Sequence, residues 1–188
     1  MGTGIESYLR FLKGDQSGMR SIVELYWDSM LLFTNGYVHN LSDAEDIAQE
    51  ALIKLSVKRP KLREEPQLRS YLLKICRNLA INHIKKKNRT VMMPHETAEL
   101  VEDEINSIEE VENRMQLEHS RRILHEAMQQ LRQDYREVLY LRYFSELSPK
   151  ETANVMRCTE KQVTAIAYQA RQQLKKILEK EGYSSEEL

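Results

Sequence analysis

Glycine is almost missing from most of this chain. Six are present, at positions 2, 4, 14, 18, 36 and 182, and none lies between Gly36 and Gly182. Walker loops and dinucleotide-binding turns need clustered glycines to let backbone N–H groups reach a phosphate, so both are excluded. Tight hairpins lose their preferred residue as well. The long glycine-free stretch points to helices throughout. Cysteine is equally scarce, with only Cys76 and Cys158. Neither a disulfide scaffold nor a four-cysteine zinc site can be built, and a reduced setting fits. No apolar run approaches the roughly 20 residues of a membrane-crossing helix. The start, MGTGIESYLR, lacks the basic-then-apolar layout of a secretory signal. No membrane insertion and a cytoplasmic location are therefore expected. What is present fits a globular protein of one large or two small domains: 188 residues, 41% hydrophobic and 30% charged.

The net charge of −1 hides an uneven distribution. Residues 41–89 hold 12 Lys/Arg and 6 Asp/Glu, a balance of +6. Residues 90–120 hold one Arg and 9 Asp/Glu, a balance of −8. Residues 124–180 hold 10 Lys/Arg and 7 Asp/Glu, a balance of +3. Basic blocks on either side of an acidic segment suit a polyanion partner, or an ordinary solvated surface. The acidic segment contains Pro94 and has only a weak apolar pattern, so it reads as a linker. Three parts follow: a helical domain over 1–89, an acidic linker over 90–120 and a second helical domain over 121–188.

Apolar residues recur at helical spacing along both domains. Ile5, Tyr8, Leu9 and Leu12 make a short first stripe. Met19, Ile22, Val23, Tyr26, Met30, Phe33 and Tyr37 make a second. Ser42, with Glu45 three residues on, reads as the N-cap of a third helix, whose stripe is Ala44, Ile47, Ala48, Ala51, Leu52 and Leu55. A loop with Pro60 and Pro66 ends it, and a fourth helix runs from about Gln67 to Asn88 with Leu68, Tyr71, Leu72, Ile75 and Leu79 inward. Leu117, Leu124 and Leu131 predict a further helix, and Tyr135, Val138, Leu139 and Tyr143 the next. Ser148-Pro149-Lys150-Glu151 is a capping box with proline at the first helical position, and Thr159-Glu160-Lys161-Gln162 is another. Two capped helices around the short turn Arg157-Cys158 give a helix-turn-helix, a pattern shared by DNA-binding units and plain helical hairpins. The fold class is thus all-α, with the helix-turn-helix in the second domain.

Two helix faces carry more polarity than packing requires. Opposite the apolar stripe of the third helix stand Asp46, Gln49, Glu50 and Ile53. They form either a solvated face or a docking face for a basic partner helix. The outer face of the fourth helix holds Ser70, Lys74, Arg77, Asn78, Ile81 and Lys85, and ends in Lys85-Lys86-Lys87. Cations there either answer the helix dipole or track phosphates, with Asn78 able to pair with a base edge. Cys76 and Cys158 read as small core or turn residues, against a redox switch bridging the domains. An enzyme would require a site that is not apparent. Asp43, Asp46 and Glu50 lack a Glu-x-x-His partner, and no G-x-S-x-G nucleophile turn occurs. No catalytic residue, metal, cofactor or small-molecule substrate is expected.

The strings GDQSGMRSIVELY, DAEDIAQEALIKL and LRSYLLKICRNLAINHIKKKNR, followed by LRQDYREVLYLRYFSELSPKETANVMRCTEKQVTAIAYQARQQLKKIL, resemble bacterial RNA polymerase sigma factors of the extracytoplasmic-function group. The first three match the family's region 2 and the last its region 4, together covering about 10–89 and 124–180. The resemblance implies two partners, core RNA polymerase and promoter DNA, and admits a third, an anti-sigma protein. It implies that Asp46, Gln49, Glu50 and Ile53 dock on the clamp coiled coil of the largest catalytic subunit. It assigns minus-ten recognition to Leu62 and the loop up to Gln67, where a flipped base would be held, and to Lys74, Arg77, Asn78, Lys85, Lys86 and Lys87. It assigns the minus-thirty-five element to Lys161, Gln162, Thr164, Ala165, Tyr168, Gln169 and Arg171, and the linker to the RNA exit path.

The sequence departs from the family's habit at Tyr71, where tryptophan is usual, at Arg132, where proline is usual, and at Arg157, where the turn usually has glycine. The recognition helix also shows Thr164, Ile166 and Gln169 where the family usually has basic residues, so its phosphate attraction is expected to be weak. Two other functions fit part of the pattern: a helix-turn-helix regulator that ignores polymerase, and a helical adaptor that ignores both polymerase and DNA.

Overall fold

The computed structural model describes residues 2–90, 122–180 and 183. Among them, every regular element is a helix. Four helices form the N-terminal half: α1 Gly4–Leu12, α2 Ser17–Val38, α3 Leu41–Lys58 and α4 Glu65–Thr90. The second half holds α5, described over 122–129, α6 Gln133–Leu139, α7 Pro149–Met156 and α8 Glu160–Lys180. The linker reading of the acidic segment falls on residues outside those described.

Helix ends follow from local chemistry. Thr3 and Glu6 form a capping box at α1, and Ser148 and Glu151 form one at α7 with Pro149 at its start. At α8, Thr159 Oγ1 accepts from the Gln162 amide at 3.2 Å, while Gln162 Oε1 accepts from the Thr159 amide at 2.9 Å. With glycine scarce, other residues end the helices in the left-handed region: His39 (φ 51°), Arg59 (φ 42°) and Arg157 (φ 57°). Each such residue costs roughly 1–2 kcal/mol against glycine. At Arg157, the amide donates to the Ala153 carbonyl and closes the turn before α8.

Several sequence expectations need correction. The cap of α3 is Asn40, not Ser42: its side chain accepts from the Asp43 amide at 2.9 Å from an extended backbone, and Ser42 falls in the first turn. Helix α4 begins at Glu65, because Pro66 sits in its first turn, where no amide donor is needed. The inner face of α1 uses Phe11, and Leu9 is exposed. Tyr143 is exposed because α6 runs on into a π turn, Tyr140–Phe144, closed by the Ser145 amide donating to the Tyr140 carbonyl at 2.9 Å. The extra residue rotates the face, so Leu141 enters the core instead.

Gly18 holds α1 against α2. A Cβ there would stand 2.8 Å from the Phe11 amide nitrogen and closer still to the Ser7 carbonyl oxygen. Both are backbone atoms that cannot swing aside. Gly18→Ala is therefore expected to lower stability by about 1–3 kcal/mol, read by urea unfolding. Glu65 adds a second tie, accepting from the Ile5 amide at 2.7 Å and from the Tyr26 hydroxyl. Tyr8, fully buried, donates to the Pro60 carbonyl at 2.7 Å and fixes the loop between α3 and α4.

The two halves share one contiguous core. Leu68, Leu72, Leu73, Cys76 and Ala80 of α4 belong to the same buried cluster as Leu131, Val138, Leu141, Leu147 and Val155. Helix α4 is covered on two sides, by α2 and α3 on one and by α7 on another. Cys76 lies inside, and burial pushes its thiol up to about 12. Cys158 is half-buried, and both thiols are free. An alkylating reagent at mildly alkaline pH should label one thiol per native chain, Cys158, and the second only after denaturation. Equal labelling of both in the native state would contradict this packing.

Candidate functional site

Helix α3 turns its two faces to different surroundings. Ala44, Ile47, Ala48, Ala51, Leu52 and Leu55 are buried against α2 and α4. Asp46, Gln49, Glu50 and Ile53 are exposed. Val57, 75% exposed, extends this stripe by another turn and was missed by the sequence reading. Two large aliphatic side chains, Ile53 and Val57, thus stand in water beside carboxylates. Glu50 pairs with Lys54 along the helix, a surface pair of small energetic weight. Asp43, at the N-terminal end of α3, lies 3.2 Å from Lys87 Nζ and 3.2 Å from His83 Nε2, so its carboxylate is engaged with α4. Among the described residues, no three metal-ligating side chains group together.

Helix α4 does not present one free basic face. Ser70 is buried, with its hydroxyl donating to the Gln67 carbonyl, and Ile81 is half-buried against the core. Both were expected on the outer surface. The reason is tertiary: α7 and the chain around α6 pack over this side. Lys74 donates to Asn154 Oδ1 at 2.6 Å, and Arg69 to the Ser145 carbonyl at 2.8 Å. Arg77 Nε lies 2.5 Å from Glu137 Oε1, with side chains 18% and 3% exposed. Burial raises the Glu137 pKa, and the Arg77 charge opposes that rise. Burial works against the Arg77 charge as well, but Glu137 outweighs it and the guanidinium pKa is raised. Asn78 is half-buried, while Lys85, Lys86 and Lys87 are exposed beyond the contact.

The loop before α4, expected from the sequence to serve the minus-ten element, is shorter than the sequence suggests. Glu65–Gln67 belong to α4, and Leu62 packs half-buried against the core. A cavity of about 310 Å³ opens elsewhere, between α2 and α5–α6, lined by Leu32, Phe33, Leu124, Met128 and Phe144 among others.

Helix α8 projects Lys161, Gln162, Thr164, Ala165, Tyr168, Gln169 and Arg171 outward, all exposed. Val163, Ala167 and Ala170 face the core. Ile166, expected outside, is half-buried against that core. The Gln169 side chain accepts from the Tyr135 hydroxyl at 3.1 Å. Tyr168, 58% exposed, leaves an aromatic ring on the outer surface of α8.

Residues 28–90 match the Sigma-70 region 2 family, and residues 121–174 match the Sigma-70, region 4 family. The chain belongs to the sigma-70 family. The sigma factor is 30% identical to the RNA polymerase sigma-H factor of Pseudomonas aeruginosa over 175 residues, covering 90% of this chain and 91% of that one. It is 29% identical to the ECF RNA polymerase sigma factor SigW of Bacillus subtilis, covering 88% and 91%. The ECF RNA polymerase sigma-E factor of Escherichia coli is 28% identical, with 87% of each chain covered. Its fold is shared with the sigma factor RpoE solved with the anti-sigma factor NepR from Bartonella quintana, at TM-score 0.65, 20% identity, 85% of this chain and 96% of that one. CnrH, solved with the cytosolic domain of CnrY, follows at TM-score 0.61, 16% identity, 94% and 97%. The extracytoplasmic-function resemblance read from the motifs therefore holds along the chain.

Proposed function

We propose that this sigma factor binds core RNA polymerase through α3 and directs initiation at promoters read by α4 and α8. The observation that carries the reading is the pairing of a region 2 match with an exposed stripe of Asp46, Gln49, Glu50, Ile53 and Val57 on the same helix. A helix-turn-helix regulator that ignores polymerase would need the second half of the chain but no such stripe. Carboxylates and an amide suit a basic partner helix, and the two aliphatic residues supply apolar area to bury. Asn78, Lys85, Lys86 and Lys87 contact the minus-ten element, and the outward residues of α8 contact the minus-thirty-five element. Lys74 and Arg77 join the first set once the C-terminal half moves off α4. An anti-sigma protein, the partner class solved with RpoE, is a third partner. Function is cytoplasmic, where polymerase and chromosome meet.

The test is promoter opening. Core polymerase with this protein should make minus-ten thymines reactive to permanganate on its cognate promoter, and core alone should not. Unreactive thymines on a template that the reconstituted enzyme binds would refute the opening role.

A further inference from the structure

Three cations on α4 each take an oxygen from the C-terminal half. Arg69 donates to the Ser145 carbonyl, Lys74 to the Asn154 amide oxygen and Arg77 to the Glu137 carboxylate. Phosphate oxygens are acceptors for the same cations, and of the three the Glu137 carboxylate alone shares their negative charge. The third contact is buried, and a buried ion pair stands near balance between desolvation and attraction. Exchanging a carboxylate for a phosphate keeps Arg77 paired. The remainder of the contact is incompletely satisfied. Arg136 Nε is buried without a hydrogen-bond partner among the described residues. Such a group opposes closure. Tyr140 works the other way, donating to the Ser29 carbonyl at 2.7 Å and lying against Phe33 with ring centroids 5.2 Å apart.

We propose that Glu137 is a latch: it holds Arg77 as a stand-in for a nucleic-acid phosphate and keeps the C-terminal half over the basic face of α4 until DNA replaces it. The proposal rests on the reading of α4 as DNA-facing.

The test uses the full-length protein, wild type and as Glu137→Gln, Arg77→Gln and Tyr140→Phe. Compaction is read as the radius of gyration by small-angle X-ray scattering. DNA binding is read by fluorescence anisotropy with a duplex of mixed sequence at low salt. Glu137→Gln and Arg77→Gln should both expand the protein, since each leaves a buried charge unpaired. Of these two, Glu137→Gln alone should bind the duplex more tightly, on the order of tenfold, because it frees the cation that Arg77→Gln removes. Tyr140→Phe, which leaves all charges in place, should expand the protein and raise affinity in the same direction. It decides the matter if circular dichroism shows Glu137→Gln unfolded. A folded Glu137→Gln protein that stays compact, or expands without gaining affinity, overturns the latch. Failure of wild type and variant alike to retain promoter DNA when bound to core polymerase overturns the DNA reading instead.

Discussion

Replacing Asp46 and Glu50 together with lysine should abolish binding to core polymerase while the helical circular dichroism stays normal. Both side chains are exposed on α3, and neither touches the buried stripe that holds the helix in place. The Glu50–Lys54 pair lost in the process is a surface pair between residues i and i+4, worth a few tenths of a kcal/mol. Stability should therefore change little. Two reversed charges against a basic coiled coil cost several kcal/mol, which lowers affinity by at least about a hundredfold. Val57→Glu should weaken the same contact through its apolar part. Retention of core affinity in the folded double variant, measured by co-elution or fluorescence, would sink the assignment of α3.

Removing Lys85, Lys86 and Lys87 together should produce the largest loss of DNA binding in the holoenzyme. The three stand exposed at the end of α4, beyond the contact with the C-terminal half. Each phosphate contact contributes about 0.9 to the slope of log affinity against log salt. The triple alanine variant should thus bind all sequences more weakly and flatten that slope by about 2–3 units. Lys87 also lies 3.2 Å from Asp43, so its share is smaller if that pair persists on DNA. Asn78→Ala should act differently. It should leave the slope alone and relax minus-ten selectivity by about 1–3 kcal/mol, the worth of a bidentate base contact. Changes at Gln162 and Gln169 should matter less, because α8 offers mostly neutral groups and polymerase tethers it upstream. Loss of initiation on Gln162 and Gln169 substitution, with Asn78→Ala silent, would reverse the two roles.

Features fixed by nearest neighbours in the sequence were mostly legible in it, although the cap of α3 fell to Asn40 and not to Ser42. The capping boxes at Ser148 and Thr159 need only four residues each. The inner face of α3 obeys a single helical period because one side of that helix faces solvent. Helix α4 defeated the same reasoning. It is covered on more than one side, so Leu73, Cys76 and Ala80 are buried along with the expected Leu68 and Leu72. Ser70 is buried by the same cover, at little cost because its hydroxyl is satisfied by its own helix. Periodicity cannot reveal a second covering layer when that layer arrives from 60 or more residues away. The Arg77–Glu137 pair was hidden for the same reason, as its two halves look like ordinary surface charges in sequence. The π turn after α6 displaced Tyr143 through one inserted residue, which no composition rule marks. Gly18 was visible as part of GDQSG, but its role in the close approach of α1 and α2 needs the backbone of both helices.

The decisive measurement is in vitro transcription of fragmented genomic DNA by purified core polymerase, with and without this protein, followed by mapping of RNA 5′ ends. A sigma factor yields discrete 5′ ends that share a sequence at minus ten, only when the protein is present, and loses them with Asp46→Lys/Glu50→Lys. A set of 5′ ends identical to that of core polymerase alone would contradict the assignment.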